Sequence, residues 1–456
     1  MSETVFYAVT LSVLAGLALI PLWLKPKLLI GVAIVVILFV RTLAHLSGFA
    51  ALSNADDGLV ALVVVRAVFE LRPHRVRPSY PGMIFFLLFL VCGVAGSLLS
   101  PFFSPSILLS GAFLAIKGVL LGWAVAQFPW TPDDIRRAYR FGGGLVVVVL
   151  VATVLNAAAP GAWASVFAVQ GETIDRYGLP SLSGPFIHPF DLAFFSAMAA
   201  VAIYAYRHVI GPSRFTSVLL VGTTLATFFS FRRKDLLGLL AALFSLATLT
   251  RRMRGVVAAV LVLPILVVIA WDEISAQVDQ VVGSYLTVDS GEARTVLTLN
   301  AFELANHYAP LGAGFGRYAS RTAATTYSPE YFRLGLENSY GLGPGLRGFF
   351  LTDTSWPAII GETGYLGTLM FLLAFVAIVL RARQWTLGEE PMLRMIGFTA
   401  LGWTILTVFQ STGAAVFTSP PMFGLLFSIL GLGAALERRP EAVPRPANRK
   451  VMRHVA

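Results

Sequence analysis

Apolar residues come in long uninterrupted blocks, at residues 5–24, 29–45, 58–71, 83–100, 107–127, 141–158, 190–206, 215–230, 236–250, 255–270, 363–380, 395–412 and 420–436. A helix crosses the hydrocarbon of a bilayer with ~20 mostly apolar residues, and most blocks approach that length. The block at 58–71 is short and carries Arg66, so the pattern predicts about twelve to fourteen spans. No segment alternates apolar and polar residues with the period of two that a lipid-facing barrel strand requires. The expected fold class is all-α: a polytopic integral membrane protein with a single membrane domain over residues 1–436.

Composition strengthens that expectation. With 57% hydrophobic and 13% charged residues and a mean hydropathy of +0.77, the chain has more apolar surface than one soluble core can hide. A net charge of +10 would suggest nucleic acid in a soluble domain, but here the cations sit in alternate connections between blocks. Lys25 and Lys27, the arginines at 72–77, 136–140, 207–214, 251–254 and 381–394, and the tail from Arg438 to Arg453 together hold 22 of the 34 Lys and Arg. The positive-inside rule makes that side cytoplasmic, and no nucleic-acid partner is expected. The tail at 437–456 is Pro-rich and basic and is expected to be disordered and cytoplasmic. The first block lacks a basic n-region, so no cleavable signal peptide is expected. A lone cysteine, Cys92, excludes an intramolecular disulfide and any Cys-rich metal centre.

The remaining cations oppose the orientation rule. Arg66 and Lys117 lie inside apolar blocks, where pairing within the bundle is expected. Arg41, Arg176, Arg232, Arg233, Lys234, Arg294, Arg317, Arg321, Arg333 and Arg347 fall at or beyond the outer face. The connection at 271–362 is the one extramembrane segment large enough to shape a site. Within it, Asp289-Ser290-Gly291-Glu292-Ala293-Arg294 offers N-cap residues before an apolar run that stops ahead of Pro310, which predicts a loop helix. Arg294 falls in its first turn, where backbone N–H groups already favour an anion, so phosphate binding is one reading and a surface ion pair with Glu292 or Glu303 the other.

Next, Leu311-Gly312-Ala313-Gly314-Phe315-Gly316-Arg317 permits either a tight turn or close backbone approach to a ligand. Asp353 and Glu362 place two carboxylates near the start of a span, with Trp356 between them, and either is a candidate base; Glu362 also reads as an N-terminal helix charge. Earlier in the chain, Arg176 and the stretch Gly184-Pro185-Phe186-Ile187-His188-Pro189 lead into a span, with His188 as a base or a helix cap. Phe231-Arg232-Arg233-Lys234-Asp235 forms an outer turn whose three adjacent cations suggest either an anionic ligand or a shifted topology. No His, Asp and Glu cluster at ligand spacing is present, so neither a metal nor a cofactor is expected.

These pieces, in this order from about residue 176 to 380, resemble the O-antigen polymerase and ligase superfamily, the Wzy-type polymerases and WaaL-type ligases of bacterial surface polysaccharide. Gly184-Pro185-Phe186-Ile187-His188-Pro189, Arg232 and Arg233, Ser290-Gly291-Glu292-Ala293-Arg294, Leu311-Gly312-Ala313-Gly314-Phe315-Gly316 and Glu362-Thr363-Gly364-Tyr365-Leu366-Gly367 carry the likeness. The resemblance implies a GT-C-like inner-membrane enzyme with a periplasmic catalytic loop. It would perform metal-independent, inverting glycosyl transfer from an undecaprenyl-diphosphate-linked oligosaccharide, alongside chain-length regulator and flippase proteins. Arg232, Arg233 and Arg294 would hold the diphosphate, with Arg176, Arg317 and Trp356 also lining the substrate site. Ligases carry a His followed by Asn before the glutamate motif. Here Leu351-Thr352-Asp353-Thr354-Ser355-Trp356 stands in that place without a histidine, which makes Asp353 the candidate base by position, ahead of His188 and Glu362. A repeat-unit polymerase is therefore expected, with a ligase as the alternative and a transporter, its pathway marked by Arg66 and Lys117, as the rival from another class. No matching broken helices recur in two halves, as a repeat transporter would require.

Overall fold

A computed structural model describes residues 21–71, 80–167, 175–176, 179–250, 293–339, 341–344 and 350–437. Among the described residues 77% are helical and almost none are in strands. In chain order the helices are α1 (Pro26–Ser47), α2 (Ala55–Glu70), α3 (Met83–Leu99), α4 (Pro105–Ala126), α5 (Pro132–Ala158), α6 (Pro160–Phe167), α7 (Pro189–Val209), α8 (Arg214–Phe229) and α9 (Arg233–Leu249). They continue with α10 (Ala293–His307), α11 (Arg321–Thr326), α12 (Pro329–Arg333), α13 (Trp356–Thr386), α14 (Pro391–Ser411) and α15 (Met422–Glu437). Every apolar block that lies wholly on described residues coincides with a helix. The blocks at 5–24 and 255–270, the start of the long connection and the tail from 438 lie wholly or mostly outside the described residues. Glu437, assigned to the tail by its sequence, ends α15 and pairs with Arg381 at 3.2 Å.

Six of these helices, α1, α4, α5, α7, α13 and α14, are long and apolar enough to cross a membrane. Their starts follow from local sequence. Proline occupies the first turn of each of the six, where its missing N–H is not needed. Thr131 and Asp134 form a capping box at α5. Small residues set the packing distance: a Cβ at Gly118 would strike Phe427, and one at Gly431 the backbone of Gly122, as expected where helices pack in lipid through small residues. Leu121, Val201, Leu239, Leu246, Leu406 and Leu430 are fully buried in the bundle core.

Two departures from the all-α expectation are local. Asp175–Arg176 and Leu179–Pro180 form a two-residue antiparallel ladder, and α13 is broken at Gly364, whose φ of 63° and ψ of −167° are not helical. The break has a visible cause. It frees the carbonyls of Gly361 and Glu362, and the glycine-rich segment supplies their donors, Ala313 N–H at 2.9 Å and Gly314 N–H at 2.9 Å. Freed backbone groups inside a bundle must find partners, so kink and segment require one another.

The two long cation readings resolve simply. Lys117 is fully buried and bonds Asp56 and Asp57, each at 2.6 Å. Arg66 pairs with Glu70 one turn on, at 3.1 Å, and donates to the Trp23 carbonyl.

Candidate functional site

The long connection folds its own small core. Leu297, Leu304, Tyr318, Tyr331, Leu336, Leu342 and Leu351 pack together and rest on Ile360 of α13. The loop helix forms as expected, over Ala293–His307, and Arg294 sits in its first turn. Among the described residues its partner is not Glu303, and Glu292 lies outside them. Arg294 Nε and Nη2 both donate to Asp353 Oδ2, at 3.0 and 2.7 Å. The two residues that the sequence suggested for separate tasks are thus joined. Both remain reachable, with side chains 41% and 28% exposed. Among the described residues nothing donates to Asp353 Oδ1.

What fixes Asp353 is the turn after α14. Ser355 N–H and Thr354 Oγ1 donate to the Ser411 carbonyl at 3.0 and 3.1 Å, Ser355 Oγ donates to Ala414 O at 2.9 Å, and Trp356 Nε1 donates to Ser411 Oγ at 3.0 Å. Trp356 therefore anchors the segment through its indole. The same turn is gripped from its other side by Lys234, whose Nζ donates to Thr412 O at 3.3 Å. The charges of Arg294 and Asp353 reach the Lys234 ammonium. One turn, 411–414, thus brings the cationic start of α9 beside the Arg294 and Asp353 pair.

Deeper along that start lies a second grouping. Ser183 and Gly184 N–H donate to Asn156 Oδ1 at 2.8 and 3.1 Å, Trp163 Nε1 donates to Gly184 O at 2.6 Å, and Phe186 stacks on Phe39. Gly184, at a φ of 55°, has no room for a side chain against Thr153. So pinned, the motif delivers His188 to the N-cap of α7, where Nδ1 accepts from Phe190 N–H at 3.2 Å. Arg232 Nη2 approaches the same ring, 3.1 Å from Nε2. A guanidinium only donates, and in a neutral ring whose Nδ1 already accepts the proton sits on Nε2, so Arg232 can bond His188 only by sharing Nδ1, 3.3 Å from Nη2. Asp191, buried, bonds Arg41 Nη1 at 3.2 Å and feels Arg232; Asp235, also buried, accepts from Gln410 Nε2 and feels both Arg232 and Asp191. The cationic turn at 231–235 is thus balanced in part by the protein's own carboxylates. Sequence reasoning passed over Asp191 and Asp235; the available signal was an acid in the first turn of each helix that begins at this cationic place. Arg233 opens α9 and is half-buried. Arg176 lies in the short ladder.

Glu362 and Arg317 belong to a third, interior grouping. Glu362 is 4% exposed and its Oε1 accepts from Arg317 N–H at 2.8 Å, Tyr318 N–H at 3.0 Å and Ser320 Oγ at 2.6 Å. Arg317, also 4% exposed, feels both Glu330 and Glu362. Burial pulls its guanidinium below the ordinary arginine range. Glu330 is fully buried, accepting from Arg333 Nε and Tyr308 Oη at 2.7 Å each. Burial and that carboxylate push the Tyr308 phenol up to about 12. The glycine-rich segment just before is equally interior: Phe315 N–H bonds Ser97 Oγ at 2.8 Å, and side chains at Gly314 or Gly316 would meet Ser97 or Ile107. Its close approach is to α3, α4 and α13, not to open space.

No protein-family model matches this chain, and no curated protein matches its sequence.

Proposed function

We propose that this protein is a glycosyltransferase that polymerises diphosphate-linked oligosaccharide repeats at the membrane face carrying residues 293–362. The observation that carries the reading is the Arg294 and Asp353 pair, partly exposed and set beside Lys234 by the 411–414 turn. A sugar hydroxyl attacking an anomeric carbon must lose its proton, and a positioned carboxylate accepts it. Asp353 Oδ1 is the oxygen for that proton, since Arg294 occupies Oδ2. As the new C–O bond forms, the old bond to diphosphate breaks and the electron pair leaves on phosphate. That leaving group needs cations rather than a proton. Arg294 spends two of its five N–H donors on Asp353; the others, with Lys234, Arg233 and Arg232, are the groups to neutralise the diphosphate. In this scheme His188 orients Arg232, and Trp356 and Arg317 support the loop. The likeness in motif order to polysaccharide polymerases, and the absence of a ligase-type histidine before Glu362, favour polymerase over ligase.

The test is reconstitution. The full-length protein in lipid nanodiscs, given undecaprenyl-diphosphate-linked repeats, should yield a ladder of longer glycans on the lipid carrier with diphosphate carrier released. Transfer only to a lipid A core acceptor would make it a ligase, and no transfer under either condition would remove the glycosyltransferase reading.

A further inference from the structure

A cavity of about 320 Å³ opens beside the segment that carries Asp353, and neither Asp353 itself nor the cations at the start of α9 line it. Thr352 and Thr354, the neighbours of Asp353 on both sides, line it, whereas Arg232, Lys234 and Arg294 do not. Its walls combine two chemistries. Phe89, Phe315 and Phe417 offer apolar rings, and hydroxyls come from Ser320, Ser419 and the two threonines. Arg321, which donates to Asn54 Oδ1 at 2.7 Å, stands at the wall together with Arg41 and Glu362. Lipid tails have no use for such hydroxyls, and the two guanidiniums at the wall, Arg41 and Arg321, are already engaged by Asp191 and Asn54. A sugar ring has apolar C–H faces and a rim of hydroxyls, which matches both. The volume is at the small end of ligand pockets, ~300–1,000 Å³, so it suits one or two rings rather than a whole repeat.

From this placement we infer that the cavity is the acceptor subsite, which takes the terminal sugar of a growing glycan and presents its hydroxyl to Asp353. The inference rests on the glycosyltransferase reading and adds a division of labour: diphosphate at the cations of α9, acceptor sugar in the cavity lined by α4. The cavity also explains why Thr352 and Thr354 flank the base. Hydroxyls on each side of it can hold the acceptor ring while the carboxylate faces the reacting oxygen.

Two cavity-filling variants from opposite walls test this, Ala358→Phe on α13 and Ala115→Phe on α4, both lining positions. The probes are oligosaccharides of one to three repeats, released from the host's own surface polysaccharide and capped as methyl glycosides, titrated calorimetrically into full-length protein in nanodiscs. Wild type should bind them saturably, and at least one variant that keeps its thermal unfolding midpoint should bind at least about tenfold more weakly, the size of an overpacking penalty. Undecaprenyl diphosphate, which carries no sugar, should bind wild type and variant alike. Failure of wild type to bind, equal glycan binding by folded variants, or parallel loss of the sugar-free lipid would overturn the assignment. If both variants unfold, Thr352→Val, which removes one hydroxyl, replaces them, with weaker glycan binding expected and unchanged binding contradicting. Because binding is read without turnover, glycan binding that stands while lipid-linked repeats are never elongated would sink the polymerase reading alone.

Discussion

Two arginine and carboxylate groupings sit within the same loop, and water separates their roles. In the interior one, Arg317, Glu330 and Glu362 are 4%, 0% and 4% exposed, and Glu362 spends one oxygen on three donors that knit residues 317–320 to α13. In the outer one, Arg294 and Asp353 are 41% and 28% exposed, and the carboxylate keeps an oxygen without a donor among the described residues. Residue type alone does not distinguish them. The difference lies in exposure and in the partner: a buried carboxylate held by two backbone amides and a hydroxyl ties its segments together, while a reachable one oriented by a single arginine can accept a proton from a substrate.

The largest contrast is expected in rate. Asp353→Asn keeps shape and removes basicity, so elongation of lipid-linked repeats should fall by ~10²- to 10⁴-fold, the usual contribution of a general base, while the unfolding midpoint stays near wild type. A midpoint that falls with the rate would place Asp353 with the structural group. Glu362→Ala should do the reverse in emphasis. It strands two buried backbone amides at about 1–3 kcal/mol each, so thermal unfolding in detergent should show at least about 2 kcal/mol of lost stability, and retained stability would erase the distinction drawn here. Arg294→Lys keeps the charge and loses the forked donor. Losing one charge-assisted hydrogen bond, about 1.5–3 kcal/mol, predicts a roughly 10- to 100-fold slower initial rate with near-normal stability; an unchanged rate would remove the fork from the mechanism.

The contrast also marks how far the sequence could be read. Helices were legible because apolar blocks and first-turn prolines act locally, as at Pro105, Pro189 and Pro391. The loop helix and the first-turn position of Arg294 were legible for the same reason. Partners were not. Asp353 lies 59 positions from Arg294, and their meeting depends on the loop core and on the 411–414 turn, neither of which leaves a periodic signal. The glycine-rich segment shows the limit most clearly. Its pattern suits a ligand cradle or a turn, and only the break at Gly364 reveals that its amides serve the carbonyls of Gly361 and Glu362. Likewise the cations at 232–234 read as uncompensated until Asp191 and Asp235 arrive from two helix starts.

The most direct test of the outer pair as one working centre is a double-mutant cycle on elongation rate in nanodiscs, using Arg294→Ala, Asp353→Asn and the two combined. Groups that act as a unit lose little more together than singly, so the combined variant should be about as slow as Asp353→Asn alone. Losses that multiply, or a wild-type rate in either single variant, would contradict the claim that Arg294 and Asp353 form one centre.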